Sequence, residues 1–273
     1  MHLSQEYSRY LRLLGFEVPP AGFDGLQQLV LRQVCRIPFE NVSKLLLYSR
    51  ERNGRVTTFS EYLDGIEHFD LGGTCYTANP YFAQLLAALG YDVDLWGASM
   101  MTPNVHTCIR VRLNGAEYHV DVGFAAPFRS PMRVDQLPAE IRDGSDKYIV
   151  SRSEETGEIT VGVYSGRERT HGYRAHNTPR GADFFRQTII DSYQPGKTFM
   201  VCLRVARYFE RGSAHLRDGK LIVCDGEKQT ITELRTLTDL KAAFEGPLRM
   251  PRCPFTEAVA VLEEMTGRVQ FPK

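Results

Sequence analysis

The segment from 105 to 123 constrains the fold more than any other part of the sequence. Its centre, Asn114-Gly115, is a two-residue turn signal that joins two runs of alternating residues. Such a dipeptide between alternating runs is the strongest local indication of a β-hairpin. If position 113 lies opposite 116, then 108 faces 121 and 106 faces 123. The sequence therefore predicts an antiparallel sheet built around this hairpin.

One face of this predicted hairpin carries groups suited to acid–base chemistry. His106, Cys108 and Asp121 share that face, and Asp121 is diagonal to His106, about 7–8 Å away between Cα atoms. A catalytic base and the carboxylate that orients it need such an arrangement. Two alternatives stay open, because histidine and aspartate on a hairpin often form a surface pair, and His119 also neighbours Asp121. Cys108 is a poor nucleophile candidate, since a nearby carboxylate disfavours its thiolate.

A second chemical feature is the segment Gly72-Gly73-Thr74-Cys75, which precedes a strongly periodic helical pattern. Glycines let a backbone approach a substrate closely, and helix-terminal N–H groups favour a thiolate. A buried structural cysteine after a flexible turn is the competing interpretation. Asn79-Pro80 offers another helix start. We predict that the helix begins at Thr74 or Cys75, because its apolar positions extend back to Ala78.

Composition excludes several classes of protein. The 273-residue chain has a formal net charge of +0, so no excess positive field exists to hold nucleic acid or an acidic membrane. The first ten residues are polar, and no apolar run approaches the roughly 20 residues of a membrane helix. The six cysteines are scattered without a CxxC pair, which argues against a zinc site and a disulfide framework. We therefore expect a cytoplasmic protein without metal.

The remaining periodicities predict three successive regions along the chain. Helices are expected at 4–14, 24–34 and 59–69, followed by the helix near Cys75. Strands are expected at 92–100, 105–113, 117–123, 147–151, 159–164 and 168–174. After a short helix beyond Pro179, strands are expected at 198–206, 220–225 and 229–234, with helices near 237–244 and 255–266.

Four segments in this order resemble the arylamine N-acetyltransferase family. Pro38-Phe39-Glu40-Asn41 is similar to its PFEN segment, and Gly72–Cys75 with Asn79 resembles its nucleophile segment. His106 stands where the family has its base, and Asp121-Val122-Gly123-Phe124 resembles its DVGF segment. The resemblance covers roughly residues 1–130, with weaker continuity to about 200.

The resemblance implies a multi-lobed α+β fold with a papain-like cysteine-nucleophile core. It implies an N-terminal helical bundle over 1–90 that carries the nucleophile. A central antiparallel β-barrel over 91–195 would carry the base and the acid, and an α/β lid would follow over 196–273.

The resemblance also implies a ping-pong N-acetyltransferase that uses acetyl-CoA as donor and an arylamine or arylhydrazine as acceptor. Cys75 would take the acetyl group, His106 would deprotonate the thiol, and Asp121 would orient the imidazole. The family pattern implies further contacts to substrate by Phe39, Gly123 and Phe124, and to coenzyme A by Thr107, Ala125 and Ala126. It implies no metal, no nucleic acid and no membrane, and it leaves the oligomeric state unknown.

The sequence departs from the family at several positions. Leu71 replaces an arginine, so Glu40 is expected to need another cation, with Arg36 and Arg55 as candidates. Thr77, Pro80 and Ala125-Ala126 are further departures. Three other functions therefore stay open: an amide synthase that takes a carrier-bound thioester, a cysteine hydrolase, and a non-catalytic binding module.

Overall fold

The N-terminal third of the protein is helical, as the periodicity predicts. The computed structural model describes residues 3–272. Its first elements are α1 (Gln5–Leu14), α2 (Gly22–Arg36), β1 (Phe39–Glu40), α3 (Val42–Glu51), α4 (Phe59–Phe69) and α5 (Cys75–Ala88). The Ser4 side chain caps α1, and a reciprocal capping box of Thr58 and Glu61 starts α4. The predicted helices are confirmed, whereas α3 was not predicted.

The start of α5 settles the ambiguity that Pro80 created. The helix begins at Cys75 with Thr74 in extended geometry before it, and Pro80 lies within it. The backbone N–H of Ala78 donates to Thr74 O at 3.0 Å, which closes the first turn. Because proline has no N–H, the Tyr76 carbonyl receives no helical bond from position 80. The predicted helix start is therefore confirmed despite the proline.

An eight-stranded antiparallel, barrel-like sheet follows α5. Its strands are β2 (Asp92–Ser99), β3 (His106–Leu113), β4 (Ala116–Val120), β5 (Met132–Arg133), β6 (Ala139–Asp143), β7 (Asp146–Arg152), β8 (Ile159–Ser165) and β9 (Glu168–Pro179). Their spatial order is β5-β4-β3-β2-β9-β8-β7-β6. A buried apolar cluster that includes Trp96, Phe128 and Val161 fills the sheet.

The hairpin register is the predicted one up to the point where the chain leaves the ladder. Leu113 pairs with Ala116, and Ile109 pairs with Val120. The strand then ends at Val120, although alternation predicted strand to 123. Asp121 Oδ1 accepts the backbone N–H groups of Gly123 and Phe124, each at 3.0 Å, and these bonds replace cross-strand ones. The turn directs the Asp121 side chain toward β3.

A second antiparallel sheet and further helices complete the described chain. They are α6 (Arg186–Asp191), β10 (Arg204–Tyr208), β11 (Ser213–Arg217), β12 (Lys220–Asp225), β13 (Lys228–Glu233), α7 (Leu237–Glu245) and α8 (Phe255–Thr266). The sheet order is β1-β10-β11-β12-β13, and Glu40 of β1 pairs with Val205 of β10. The short strand β1, which carries Glu40, is therefore an edge strand of the C-terminal sheet.

The first part of the strand predicted at 198–206 is wrong. Thr198–Met200 forms a 3-10 turn, and β10 begins only at Arg204. The Asn41 amide donates to Phe199 O at 2.9 Å and Cys202 O at 2.7 Å, while its oxygen accepts the Arg204 N–H. A single buried asparagine, distant in sequence, holds this segment as a turn.

Helices, barrel-like sheet and C-terminal sheet give the multi-lobed α+β fold that was expected. One apolar cluster joins α3 to α7, α8 and the C-terminal sheet, so packing crosses the expected boundary between first and third lobes. The boundaries at 90 and 195 stay predictions. Over residues 3–272, none of the helices is long and apolar enough to span a membrane.

Candidate active site

Two glycines bring the backbone close to its surroundings just before Cys75. A Cβ atom at Gly72 would collide with the carbonyl oxygen of Pro38, and one at Gly73 would collide with the Thr77 hydroxyl. Gly73 also has a φ of 77°, in the left-handed region that favours glycine. The glycine pair is therefore required by tight packing at the start of α5.

A buried carboxylate holds this segment in place. Glu40 is fully buried, and its Oε1 accepts the N–H groups of Gly72 at 3.0 Å and Gly73 at 2.5 Å. Its Oε2 accepts the Ser43 N–H at 2.8 Å, which caps α3. Three backbone N–H groups thus satisfy both oxygens of this buried side chain. Glu40 therefore anchors the segment before Cys75 and starts α3, the helix that sequence reasoning missed.

The expectation that Glu40 needs a replacement cation is wrong. Arg36 reaches the Leu13 carbonyl, and Arg55 pairs with Glu51 and Glu61. Leu71, which replaces the family's arginine, is buried in the apolar cluster of the C-terminal lobe. Backbone N–H groups satisfy Glu40 instead, because the glycines expose them.

His106 and Asp121 form a buried pair. His106 Nε2 donates to Asp121 Oδ2 at 2.7 Å, and neither side chain has more than a trace of exposed surface. The other carboxylate oxygen, Oδ1, accepts three bonds: the N–H groups of Gly123 and Phe124, and the Asn79 amide at 2.9 Å. Asp121 is therefore held from both sides, and its orientation is fixed.

The Cys75 thiol donates to the Val105 carbonyl at 3.9 Å, next to His106 in the chain, and it is close enough to act on the pKa of that ring. Because Nε2 bonds Asp121, Nδ1 is the ring nitrogen left to take a thiol proton. Burial acts to lower the pKa of His106, but the negative charges of Asp121 and Cys75 outweigh it and raise the pKa to about 10. Burial likewise acts to raise the pKa of Asp121, and the His106 charge outweighs it, giving about 2. Each charge stabilises the other.

The structure separates His106 from its rival. His119 Nε2 bonds the Tyr173 hydroxyl at 2.8 Å, and burial lowers the pKa of His119 to about 4. Burial, followed by the charge of Asp121, raises the pKa of the Cys108 thiol well above its usual value. Cys75, His106 and Asp121 are thus the three predicted residues that come together.

Aromatic rings enclose His106. The Tyr173 ring lies 4.6 Å from the imidazole between centroids, and the Phe124 ring lies 5.4 Å away. Phe39 packs edge-on against Phe199 at 5.7 Å. Sequence reasoning missed Tyr173, although the alternating pattern at 168–174 contains it. Water is displaced from the imidazole by these rings, which strengthens its electrostatic interactions.

The three residues predicted to contact coenzyme A differ in burial. Thr107 is fully buried, and its hydroxyl donates to the Cys75 carbonyl at 2.9 Å. Ala126 is buried in the apolar cluster of the barrel-like sheet, whereas Ala125 is partly exposed. Their contacts to coenzyme A stay a prediction. Gly123 lies so close to Cys75 that a Cβ atom there would stand 2.7 Å from the Cys75 Cα.

Within residues 3–272, no group of three or more His, Cys, Asp or Glu side chains could hold a metal ion.

The chain is similar to known proteins over most of its length. The model of a family described as N-acetyltransferase matches residues 23–247. The arylamine N-acetyltransferase of Mycolicibacterium smegmatis is 25% identical over 234 residues, covering 81% of this chain and 83% of that protein. Proansamycin X synthase of Amycolatopsis mediterranei (strain S699) is 28% identical over 183 residues, covering 62% and 67%.

Solved structures share the fold over nearly the whole chain. The arylamine N-acetyltransferase from Mycobacterium abscessus superimposes with a TM-score of 0.78 at 20% identity, covering 96% of this chain and 95% of that one. The Mycobacterium marinum enzyme in complex with CoA gives 0.78 at 18% identity, covering 95% and 99%. The family match spans most of the sequence, so the chain belongs to the arylamine N-acetyltransferase family.

Proposed function

We propose that the protein is an acetyl-CoA-dependent N-acetyltransferase in which Cys75, His106 and Asp121 form the catalytic triad. The observation that carries the proposal is the buried His106–Asp121 pair, bonded at 2.7 Å, beside the Cys75 thiol at the start of α5. This series supplies a nucleophile, a base and an orienting carboxylate in one water-poor site. The six unpaired cysteines suit a reducing cytoplasm, where such a thiol stays active.

The first half-reaction acylates Cys75. His106 Nδ1 takes the thiol proton, and the resulting thiolate sulfur attacks the thioester carbonyl of acetyl-CoA. The new bond between Cys75 Sγ and carbon forms as the bond to the coenzyme A sulfur breaks. The leaving thiolate takes the proton back from His106. Asp121 stays ionised throughout and stabilises the imidazolium.

The second half-reaction transfers the acetyl group to an amine. The amine nitrogen attacks the Cys75 thioester, loses a proton to His106, and releases Cys75 as a thiolate beside the imidazolium. Phe124 lies next to the imidazole, and Phe39 with Phe199 offers further aromatic surface. Aromatic walls favour a flat aromatic acceptor by stacking, which is why we propose arylamines and arylhydrazines.

Intact-protein mass spectrometry tests this function. Mixing the protein with acetyl-CoA and no acceptor should add one acetyl group to Cys75, and a later addition of 4-methoxyaniline should remove it. Cys75→Ser should block stable labelling under the same conditions. Cys253→Ser removes a buried thiol whose pKa burial raises, so it should label like wild type. Acetylation of another residue, or none at all, would contradict the proposal.

A second candidate function has one specific observation in its favour. The relative named proansamycin X synthase is 28% identical over 183 residues, against 25% over 234 residues for the Mycolicibacterium smegmatis arylamine N-acetyltransferase. An amide synthase would use the same three residues, but it would take its acyl group from a carrier-bound thioester. If Cys75 reacts with an acylated carrier protein and resists acetyl-CoA, this alternative replaces the first.

A further inference from the structure

Three positive side chains form a row across the C-terminal sheet. Arg204 pairs directly with Arg217, and Arg217 pairs directly with Lys220, on strands β10, β11 and β12. Like charges directly opposite on neighbouring strands destabilise a sheet. The nearest carboxylate, that of the exposed Asp218, lies 3.4 Å from Arg217 Nε and 4.0 Å from an Arg204 nitrogen. One carboxylate therefore serves two guanidinium groups, whereas Lys220 has Glu233 directly opposite it on β13. The excess of positive charge in the row thus lies at Arg204 and Arg217.

The face on which this row lies is turned inward, toward the other lobes. Directly paired residues project to the same face of a sheet, and Arg204 shares its face with Ala206 and Tyr208. Both of these are buried in the cluster formed with the N-terminal helices, whereas Val205 packs on the opposite side. Arg204 Nε is buried and has no hydrogen-bond partner among residues 3–272. A buried, unused donor in a partly exposed guanidinium is a place where an anion gains by binding.

The row also lies beside the candidate active site. Val205, next to Arg204, pairs with Glu40, the residue that holds the glycines before Cys75. From the barrel side, the His171 ring lies 5.9 Å from Phe124, which is itself 5.4 Å from His106. Burial lowers the pKa of His171 first, and the charges of Arg217 and Arg204 add to that effect. The positive row thus stands outside the aromatic wall of the site.

We propose that Arg204 and Arg217 bind a phosphate group on the pantetheine arm of the acyl donor. The inference rests on the proposed function, since it concerns the donor of the same reaction. The donor's thioester must enter the buried site at Cys75, while its phosphate, at the other end of the arm, needs positive partners outside. Guanidinium groups bind phosphate oxygens in bidentate fashion, and a phosphate between the two arginines removes their mutual repulsion.

This phosphate chemistry has two sources, free coenzyme A and the phosphopantetheine arm of a carrier protein. Three donors distinguish them: acetyl-CoA, S-acetyl-4′-phosphopantetheine, and S-acetylpantetheine, which has no phosphate. Steady-state kinetics would compare wild type with the double variant Arg204→Gln/Arg217→Gln. The matched control is Arg211→Gln, because Arg211 is an exposed arginine in the β10–β11 connection at the far end of the same hairpin.

The double variant should raise KM about tenfold for phosphate-bearing donors, with kcat and the reaction of S-acetylpantetheine unchanged. A rise in KM for both phosphorylated donors assigns the arginines to the 4′-phosphate, which coenzyme A and a carrier arm share. A rise in KM for acetyl-CoA alone overturns the assignment to the arm's phosphate, because the arginines would then bind the adenosine phosphates, which a carrier arm lacks. An equal change for all three donors, a change matched by Arg211→Gln, or no change overturns the inference. Failure of wild type to transfer acetyl from any donor would instead refute the proposed function.

Discussion

Replacing Asp121 by asparagine tests the triad most directly, because the structure dictates how the amide must sit. Three donors converge on Asp121 Oδ1: two backbone N–H groups and the Asn79 amide. Only the oxygen of an asparagine can accept them, so its NH₂ group must point at His106 Nε2. That nitrogen then becomes an acceptor, and the imidazole proton moves to Nδ1, the nitrogen left to take the thiol proton. The reversed tautomer cannot take the thiol proton.

The magnitude follows from the loss of one buried, charge-assisted hydrogen bond. Such a bond contributes about 1.5–3 kcal/mol, and each 1.36 kcal/mol is a tenfold change in a protonation equilibrium. The imidazolium–thiolate form should therefore fall by about ten- to hundredfold. Acyl transfer should fall further, by about 10⁴-fold, as it does for the equivalent substitution in serine-protease triads. The fold should persist, because volume and the three Oδ1 bonds are kept.

The fraction of Cys75 present as thiolate can be followed by its rate of alkylation with iodoacetamide, measured from pH 5 to 9 by mass spectrometry. Wild type should react well into the acidic range, because the raised pKa of His106 keeps its imidazolium beside the thiol. Asp121→Asn should react slowly until about pH 8.5, where an unassisted thiol ionises. Asp143→Asn is the matched control, since Asp143 is a buried carboxylate bonded to His215 in another region. Identical pH profiles for wild type and Asp121→Asn would refute the reasoning.

Three further predictions concern the support of the site. Glu40→Gln places an NH₂ group against a backbone donor, so urea unfolding should show a loss of about 1–3 kcal/mol; an unchanged midpoint would contradict its anchoring role. Gly123→Ala puts a methyl group 2.7 Å from the Cys75 Cα, so acetylation of Cys75 should slow more than tenfold, and normal kinetics would argue against the close approach. The pKa of Asp121 is lowered to about 2 in the folded protein, so its ionised carboxylate stabilises the fold above about pH 4. This stabilisation is lost as the pH falls toward 2. Wild type should therefore lose about 2 kcal/mol more than Asp121→Asn over that range, and parallel acid unfolding curves would contradict it.

Local patterns predicted the elements that local chemistry determines. Helix α4 begins and ends where its periodicity and its Thr58 cap indicate, and the Asn114-Gly115 turn fixed the pairing of β3 with β4. His106 and Asp121 were brought together by that register, although the ladder ends one residue before Asp121. The diagonal contact survived because the Asx-type turn at Asp121 keeps its side chain on the same face.

Elements that depend on distant residues were missed. Helix α3 has its N-terminus capped by Glu40, and the turn at 198–203 is held by Asn41. Neither of these contacts produces a periodic pattern in the sequence, because the fold, and not a fixed spacing along the chain, brings the partners together. The same applies to Tyr173, which reaches His106 from a strand more than sixty residues away.

Asn79 explains how three separate elements hold a reactive geometry together. Its amide donates to the Thr107 carbonyl on β3 at 2.5 Å and to Asp121 at 2.9 Å, while its oxygen accepts the Val122 N–H at 2.9 Å. Asn79 lies one helical turn after Cys75, so the start of α5, strand β3 and the turn at Asp121 are joined through one buried side chain. A buried polar network of this kind is favourable only when every group is satisfied. Any shift of α5 against the sheet would break several of these bonds at once, so Asn79 holds Cys75 in register with the His106–Asp121 pair.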